Sequence, residues 1–159
     1  MKTLEITPLT GVNEHILALL YLADPSEAAV SDYLKRGCCY VAALGDQPVG
    51  EYVLLPTRPF TVELVNVAVA EKHHGKGYGK ALVLHAIETA KAQGYRIIEV
   101  GTGDAGLNQL ALYQKCGFSM TGIDIDFFRK HYSEPIFENG IECRHMVRLS
   151  LALSTVKTA

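Results

Sequence analysis

The residues best suited to chemistry lie in one short segment rich in glycine and lysine: His74, Gly75, Lys76, Gly77, Tyr78, Gly79 and Lys80. Glycines can adopt positive φ and leave neighbouring N–H groups uncovered. An apolar strand pattern precedes the segment and an apolar helix pattern follows it. Its amides are therefore expected at a helix N-terminus, where the macrodipole favours negative charge. The segment predicts a binding site for a phosphate or pyrophosphate.

A nucleoside-triphosphate loop of the Walker A type explains this segment poorly. That loop needs a glycine, four residues, then Gly-Lys and a Ser or Thr whose hydroxyl holds magnesium. With Gly79 and Lys80 as the Gly-Lys pair, His74 replaces the first glycine and Ala81 replaces the hydroxyl residue. Both requirements fail.

A dinucleotide loop is a second alternative, and it fits in part. Gly75 and Gly77 match the first two glycines of Gly-x-Gly-x-x-Gly, but Lys80 stands in the third position. The pattern also needs an acidic residue about 20 residues further on, at the end of a second strand. Glu99 lies near that distance, but within its strand. A nucleotide-dependent oxidoreductase stays open and predicts affinity for NAD.

Two motifs together resemble the GNAT superfamily of acyl-CoA-dependent N-acetyltransferases. His74-x-x-Gly77-x-Gly79 is similar to the Arg/Gln-x-x-Gly-x-Gly/Ala pyrophosphate loop of that family, with His74 in place of the usual Arg or Gln. Residues 108–118 resemble the second signature, an Asn followed by Ala, Tyr and a Gly-Phe exit. The resemblance implies acetyl-CoA as co-substrate. Lysines around the loop suit its phosphates on a chain of net charge −2.

The resemblance also implies which residues bind the donor. The pantetheine arm would pair with the strand before the loop, at Val67, Ala68 and Val69, and one of their N–H groups would polarise the thioester carbonyl. The pyrophosphate would lie on the amides from Gly75 to Lys80. Asn108 would hold the pantetheine or the start of its helix.

Two residues are candidates for proton transfer. Glu63 occupies the strand position where several GNAT enzymes carry a glutamate that deprotonates the amine through water; an ordinary surface carboxylate is the alternative. Tyr113 would protonate the leaving thiolate as a general acid, or serve only as a core aromatic. A non-catalytic acyl-CoA sensor is the competing function, and the presence of both residues favours an enzyme.

Composition limits the number of domains and the classes of partner, location and metal site that the chain can have. The chain has 159 residues, 48% apolar and 20% charged, which predicts one globular domain. The resemblance implies that residues 1–159 form a single N-acetyltransferase domain. No basic run indicates nucleic acid, and no long apolar stretch indicates a signal peptide or a membrane span. Its four cysteines and six histidines show no metal-ligand spacing. We expect a reduced, cytoplasmic protein without a metal.

The patterns along the chain predict the element order β-α-α-β-β-β-α-β-α-β-β, an α/β (α+β) fold. A mixed, mostly antiparallel central sheet would be flanked by helices, as in GNAT proteins. Asp24 is expected to cap the second helix, Pro56 to break the chain between two strands, and Asp104 to cap a helix that runs through Cys116.

The acceptor side is predicted only in outline. Residues 124–140 form an aromatic and acidic insertion before the last strand, with a tight turn at Asn139-Gly140. Rings and carboxylates both attract ammonium groups, so the insertion could line a pocket for the primary amine of a small molecule. Packing or a homodimer contact are the alternatives, and a peptide or lysine amine is the nearest rival acceptor.

Overall fold

The computed structural model describes residues 2–154, which form a central sheet with helices on both faces. The strands are β1 (Leu4–Pro8), β2 (Cys38–Leu44), β3 (Gln47–Arg58), β4 (Thr61–Val69), β5 (Ile97–Gly103), β6 (Ser119–Asp124), β7 (Phe137–Glu138), β8 (Ile141–Glu142) and β9 (Met146–Ala152). The helices are α1 (Glu14–Ala23), α2 (Glu27–Arg36), α3 (Tyr78–Ala92), α4 (Leu107–Lys115) and α5 (Phe127–His131).

Seven strands make one sheet in the order β1-β2-β3-β4-β5-β9-β6, and β7 and β8 form a separate hairpin. Among the strands of residues 2–154, only β4 and β5 pair in parallel, because their connection passes through α3. The other neighbours are antiparallel. This arrangement confirms the predicted mixed, mostly antiparallel sheet and the predicted order of its main elements.

Each face of the sheet buries its own apolar cluster. On one face, α3 contributes Leu82 and Val83 to a core that includes Ile98 of β5 and Leu149 of β9. On the other face, α1 and α2 pack on β3 and β4 through Ile16, Leu20, Val30, Val53 and Val65. Because helices cover both of its faces, the middle of β3 is buried continuously from Val49 to Leu55 rather than at alternate residues.

A bulge in β4 separates it from β5. Leu54 pairs with Leu64 and Val53 pairs with Asn66, so Val65 is an extra residue in β4. The parallel pairing with β5 ends at Leu64, directly before the bulge. Beyond that point β5 continues to Gly103 beside β9 alone. Because bulges bend and twist a strand, β4 diverges from β5 and leaves a cleft between them.

The predicted cap of the second helix is wrong by two residues. The helix begins after Ser26, whose Oγ accepts a hydrogen bond from the Ala29 amide at 3.2 Å. Asp24 instead accepts from the Ser26 amide at 3.0 Å, which orders the turn before the helix. A serine three residues before a free amide is an N-cap in its own right.

The predicted roles of Pro56 and Asp104 are also wrong. Pro56 lies within β3, opposite Val62 of β4. The pairing of β3 with β2 extends only to Leu54, so β3 has a neighbour on one side only at Pro56. Proline is tolerated at such a position. Helix α4 begins after Gly106 rather than after Asp104. Asp104 accepts instead from the Arg144 and His145 amides, at 2.8 and 3.1 Å, which joins the end of β5 to the approach to β9.

The insertion at residues 124–140 is more structured than predicted, because it contains α5 and one strand of the β7–β8 hairpin. The predicted tight turn is confirmed. Asn139 and Gly140 both have positive φ, 53° and 73°, as a two-residue hairpin turn requires. The Asn139 side chain also donates to the Ala105 carbonyl at 2.9 Å, so the hairpin is held against the end of β5.

Candidate active site

A cleft of about 550 Å³ opens between the diverging ends of β4 and β5. Its floor consists of both strands, including Val67, Ala68, Val69 and Gly103. Helix α4 contributes Gln109 and Tyr113. The residues that cover it come from the last turn of α1, the α1–α2 connection and the insertion: Tyr21, Leu22, Ala23, Asp24, Pro25, Phe128, Tyr132, Ile136, Phe137 and Glu138. The predicted donor strand and predicted acid therefore meet in one cavity.

Two of the three predicted strand residues present their backbone to the cleft. The Ala70 amide donates to the Val49 carbonyl at 2.9 Å, and the same register pairs Ala68 with Glu51. Because hydrogen-bonded pairs alternate along an antiparallel ladder, the amide of Ala68 is directed at β3. The amides of Val67 and Val69 are directed away from β3, toward the cleft. Ala68 contributes only its methyl group, which corrects its predicted role as a backbone donor.

The glycine-rich loop forms a row of free amides at the start of α3. Gly75 and Gly77 have φ of 76° and 83°, and Gly77 is the N-cap of α3. The first amide that bonds back into the helix is that of Ala81, to the Gly77 carbonyl at 3.1 Å. Within residues 2–154, the amides from Gly75 to Lys80 have no protein acceptor. Such a row binds anions.

Gly79 differs from the other two loop glycines. It has ordinary helical backbone geometry, and a Cβ at this position would meet only Leu112 Cδ2, at 3.7 Å. The prediction that Gly79 bends the loop with positive φ is wrong, because α3 already begins at Tyr78. Gly75 and Gly77 do the bending.

Lysine side chains give the loop a positive field. Lys72, Lys76 and Lys80 are all exposed and surround the free amides. Burial and the ammonium groups of Lys76 and Lys72 lower the pKa of His73, which stands between them in the sequence. The three exposed ammonium groups give the loop a positive potential, which attracts anions before any contact forms.

His74 braces the loop against β4. Its Nε2 lies 2.7 Å from the Val69 carbonyl oxygen. Because a carbonyl only accepts, Nε2 carries the hydrogen of this bond. The backbone amide of His74 donates to the Glu71 carbonyl at 3.1 Å. Both N–H groups of a neutral His74 are thus engaged, and Nδ1 alone remains for a ligand.

Tyr113 lies at the inner end of the cleft. Its side chain is 4% exposed, and its ring packs edge-on against Phe118 with 6.0 Å between centroids. In the part of the chain that the structure describes, its hydroxyl has no protein hydrogen-bond partner. Burial raises the pKa of Tyr113 well above its ordinary value, so it stays a neutral phenol that carries a proton.

Glu63 lies on the paired part of β4, outside the residues that line the cleft. Its Oε1 is 3.7 Å from Arg148 Nη1, and Arg148 is also 2.6 Å from Asp124 Oδ2. Burial raises the pKa of Glu63, while the Arg148 guanidinium acts in the opposite direction. The structure brings Tyr113 and the donor strand together but leaves Glu63 to one side.

Asn108 is exposed in the first turn of α4, and its neighbour Gln109 lines the cleft instead. Its predicted contact with pantetheine stays a prediction.

The outer wall of the cleft consists of the α1–α2 turn and α5, and a hydrogen bond that the sequence did not indicate joins these two segments. The Tyr132 hydroxyl donates to Asp24 Oδ1 at 2.8 Å, and this bond connects the end of α5 to the α1–α2 turn. Burial and this bond raise the pKa of Tyr132. The aromatic and acidic composition of residues 124–140 signalled the pocket, whereas Asp24 lies more than a hundred residues earlier and carried no signal of its own.

Within residues 2–154, no group of three or more His, Cys, Asp or Glu side chains is placed to bind a metal ion. No helix in the same range is long and apolar enough to cross a bilayer.

Comparison with known proteins gives consistent matches. The model of the acetyltransferase (GNAT) family matches residues 13–118. The uncharacterized N-acetyltransferase YvbK of Bacillus subtilis is 56% identical over 153 residues, which cover 96% of this chain and 99% of that protein.

Two solved structures are similar across almost the whole chain. A GNAT family acetyltransferase from Elizabethkingia anophelis, with acetyl-CoA bound, is 42% identical with a TM-score of 0.91, over 94% of this chain and 98% of that one. An IAA acetyltransferase from Bacillus cereus is 51% identical with a TM-score of 0.90, over 95% of this chain and 100% of that one.

Proposed function

The chain belongs to the GNAT family of acetyltransferases; from that premise, we propose that it transfers the acetyl group of acetyl-CoA to the primary amine of a small molecule. The N-acetyltransferase activity and the CoA donor follow from the family and from its CoA-bound relatives. The main support for a small acceptor is that the cleft is covered, and the hydrogen bond between Tyr132 and Asp24 fixes its outer wall.

The donor would occupy the side of the cleft that faces α3 and α4. Its pyrophosphate would accept hydrogen bonds from the free amides between Gly75 and Lys80. Its pantetheine would pair with the β4 edge at Val67 and Val69. The amide of either valine is then available to stabilise the oxyanion that forms at the thioester carbonyl, and one such donor is typically worth about 3–4 kcal/mol.

The acceptor would enter beneath the α1–α2 turn and α5. There the cleft combines the rings of Tyr21, Phe128 and Phe137 with the carboxylates of Glu71 and Glu138. Rings and carboxylates both stabilise an ammonium group. The Bacillus cereus relative is named an IAA acetyltransferase, which also favours a small molecule over a peptide.

The chemistry then requires two proton transfers. An alkyl ammonium with a pKa of about 10.4 must lose a proton before its nitrogen can attack, which costs about 4.6 kcal/mol at pH 7. When the C–S bond breaks, the thiolate needs a proton. The Tyr113 phenol lies in the cleft as a neutral donor. Burial also raises the pKa of a thiol in the same cleft, so the pKa values of the Tyr113 phenol and of the CoA thiol stay comparable.

An acceptor screen tests the proposal. Purified protein and acetyl-CoA are mixed with a panel of small primary amines and with lysine-containing peptides, and release of free CoA thiol is followed. We expect turnover with aromatic or apolar small amines and little with peptides. Turnover confined to peptides contradicts the proposed acceptor. Acetyl-CoA binding without turnover on any amine favours the non-catalytic acyl-CoA sensor.

We also propose that the enzyme is cytoplasmic and that it forms a homodimer. Its four cysteines are unpaired, and reduced thiols are typical of the cytoplasm. The edge strand β6 and the residue after it expose Met120, Ile123 and Ile125, which would suit contact with a second copy of the chain. Sedimentation of the purified protein tests the homodimer.

A further inference from the structure

Glu51 is a buried carboxyl group without a hydrogen-bond partner. It lies in the middle of β3 and is 0% exposed. Neither Oε1 nor Oε2 has a protein partner in the described part of the chain. Buried polar atoms are nearly always hydrogen-bonded, so a group left without partners needs an explanation.

Asn66 provides a second unpartnered acceptor on the same face of the sheet. Its Nδ2 donates to the Leu20 carbonyl at 3.0 Å and to the Tyr33 hydroxyl at 2.6 Å, but its buried Oδ1 has no partner. In the register of β3 and β4, Asn66 lies diagonally next to Glu51. Diagonal neighbours on one face are close enough for long side chains to meet. Three acceptor atoms thus lack a donor in one small region.

Glu51 itself is not among the residues that line the cleft, but its neighbours on β4 are. Ala68 is directly opposite Glu51 in the register, and its methyl group fills little space. Ala68 and Asn66 both line the cleft, on the side covered by α1 and α2. Water bound at these two residues would connect the cleft to the carboxyl group.

Among the described residues, no charged side chain shifts the pKa of Glu51. The titratable groups that face it are Tyr33 from α2 and Cys39 from β2, and burial is the main cause that raises the pKa of each. Tyr21 of α1 packs against the same apolar cluster. Burial alone raises the pKa of Glu51 to about 8. A general base works best when its pKa is near the working pH, because a useful fraction is then deprotonated and still binds a proton strongly.

We propose that Glu51 accepts the proton which the substrate ammonium loses, through water held between its carboxylate and the side-chain oxygen of Asn66. This proposal rests on the proposed N-acetyltransferase function. The ammonium N–H bond breaks and its electron pair stays on nitrogen, while the proton passes through water to Glu51. The free amine attacks the thioester carbon, an N–C bond forms, and the C–S electron pair leaves on sulfur. The Tyr113 hydroxyl protonates that sulfur, and the second proton lost by the nitrogen returns to the Tyr113 oxygen, which leaves a neutral amide. The excess proton returns from Glu51 to solvent.

Glu63 is the alternative acceptor for this proton and provides a matched control. Arg148 lies within 3.7 Å of its carboxylate, and a guanidinium neighbour lowers the proton affinity of a carboxylate. Both Glu51→Gln and Glu63→Gln preserve shape and remove one ionisable group. Glu51→Gln is expected to fold normally, because the amide is neutral and fits a site that disfavours charge.

The test compares kcat as a function of pH for wild type, Glu51→Gln and Glu63→Gln, at saturating acetyl-CoA and amine. For Glu51→Gln we expect kcat to fall about 100-fold or more and the acidic limb to disappear. Acetyl-CoA affinity, measured by calorimetry, should stay within about twofold. Glu63→Gln should keep the limb. An unchanged limb in Glu51→Gln, or its loss in Glu63→Gln instead, overturns the proposal.

An infrared titration gives a readout that needs no acceptor. The band of a protonated, buried carboxyl should be present in the wild type at neutral pH, absent in Glu51→Gln, and lost on alkaline titration. A band that persists at every pH at which the protein stays folded overturns the role of Glu51. Failure of the proposed function is distinguishable, since it shows as absence of turnover by the wild type with every amine.

Discussion

Gly77→Ala tests whether the bent loop at the start of α3 is the donor site. Gly77 has φ of 83°, and an added Cβ would meet no atom within 4 Å. The cost is therefore backbone strain alone, about 1–2 kcal/mol for a residue with a side chain in the left-handed region. Alanine also reduces the entropy of the unfolded chain, which offsets about 0.4–1 kcal/mol. We expect a net loss of about 1 kcal/mol in the free energy of unfolding.

Gly94→Ala provides the matched control. Gly94 has φ of 87°, with equally open surroundings, but it follows the opposite end of α3. Both variants should lose about 2–4 °C in Tm, the shift expected per kcal/mol for a domain of this size. Only Gly77→Ala should weaken acetyl-CoA binding. If the loop relaxes to relieve the strain, the competent conformation is depopulated and Kd rises by up to about tenfold.

Calorimetric titration with acetyl-CoA and thermal denaturation of the two variants decide the matter. Equal loss of stability with a selective loss of affinity in Gly77→Ala supports the loop as the pyrophosphate site. Wild-type affinity in Gly77→Ala, or an equal loss in Gly94→Ala, refutes the argument from loop geometry.

Three other predictions follow from the cleft. Tyr113→Phe should lower kcat by about 100-fold or more without changing the Kd for acetyl-CoA, since within residues 2–154 the hydroxyl has no protein partner that its removal would disturb; an unchanged kcat would remove Tyr113 from the chemistry. Tyr132→Phe and Asp24→Asn should raise the KM for the amine more than that for acetyl-CoA, because their hydrogen bond fixes the acceptor wall; equal changes in both KM values would indicate a general loss of structure. In the folded protein Glu51 has a pKa of about 8, above the ordinary 4.5. The native state therefore binds the extra proton, and Tm should fall as pH rises between these values, and fall less in Glu51→Gln.

The parts of the fold that the sequence predicted are those specified by short patterns. Glycines at 75 and 77 bend the loop, and the apolar pattern that follows forms α3. Asn139-Gly140 forms the hairpin turn because both positions need positive φ. In such segments, neighbours in sequence supply the interactions that decide the conformation, so reading the residues locally is enough.

The errors arose where a distant segment decided the outcome. Asp104 is a residue type that often caps helices, but its carboxylate accepts hydrogen bonds from the amides of Arg144 and His145 instead. Pro56 reads as a chain break, yet β2 ends early enough for β3 to continue through it. Glu51 was not singled out, because its burial depends on α1 and α2 packing over β3. None of these contacts has a local signature.

The bulge at Val65 connects the two halves of the proposed reaction. Val65 and Asn66 are consecutive, yet both face α1 and α2: Val65 packs in that cluster, and Asn66 bonds to Leu20 and Tyr33. Without the extra residue, every side chain after the bulge would change face. Asn66 would then point away from the acceptor side, and β4 could continue its pairing with β5 and close the cleft. One inserted residue thus frees the amides of Val67 and Val69 for the donor and places the Asn66 oxygen, with Glu51 behind it, beside the acceptor.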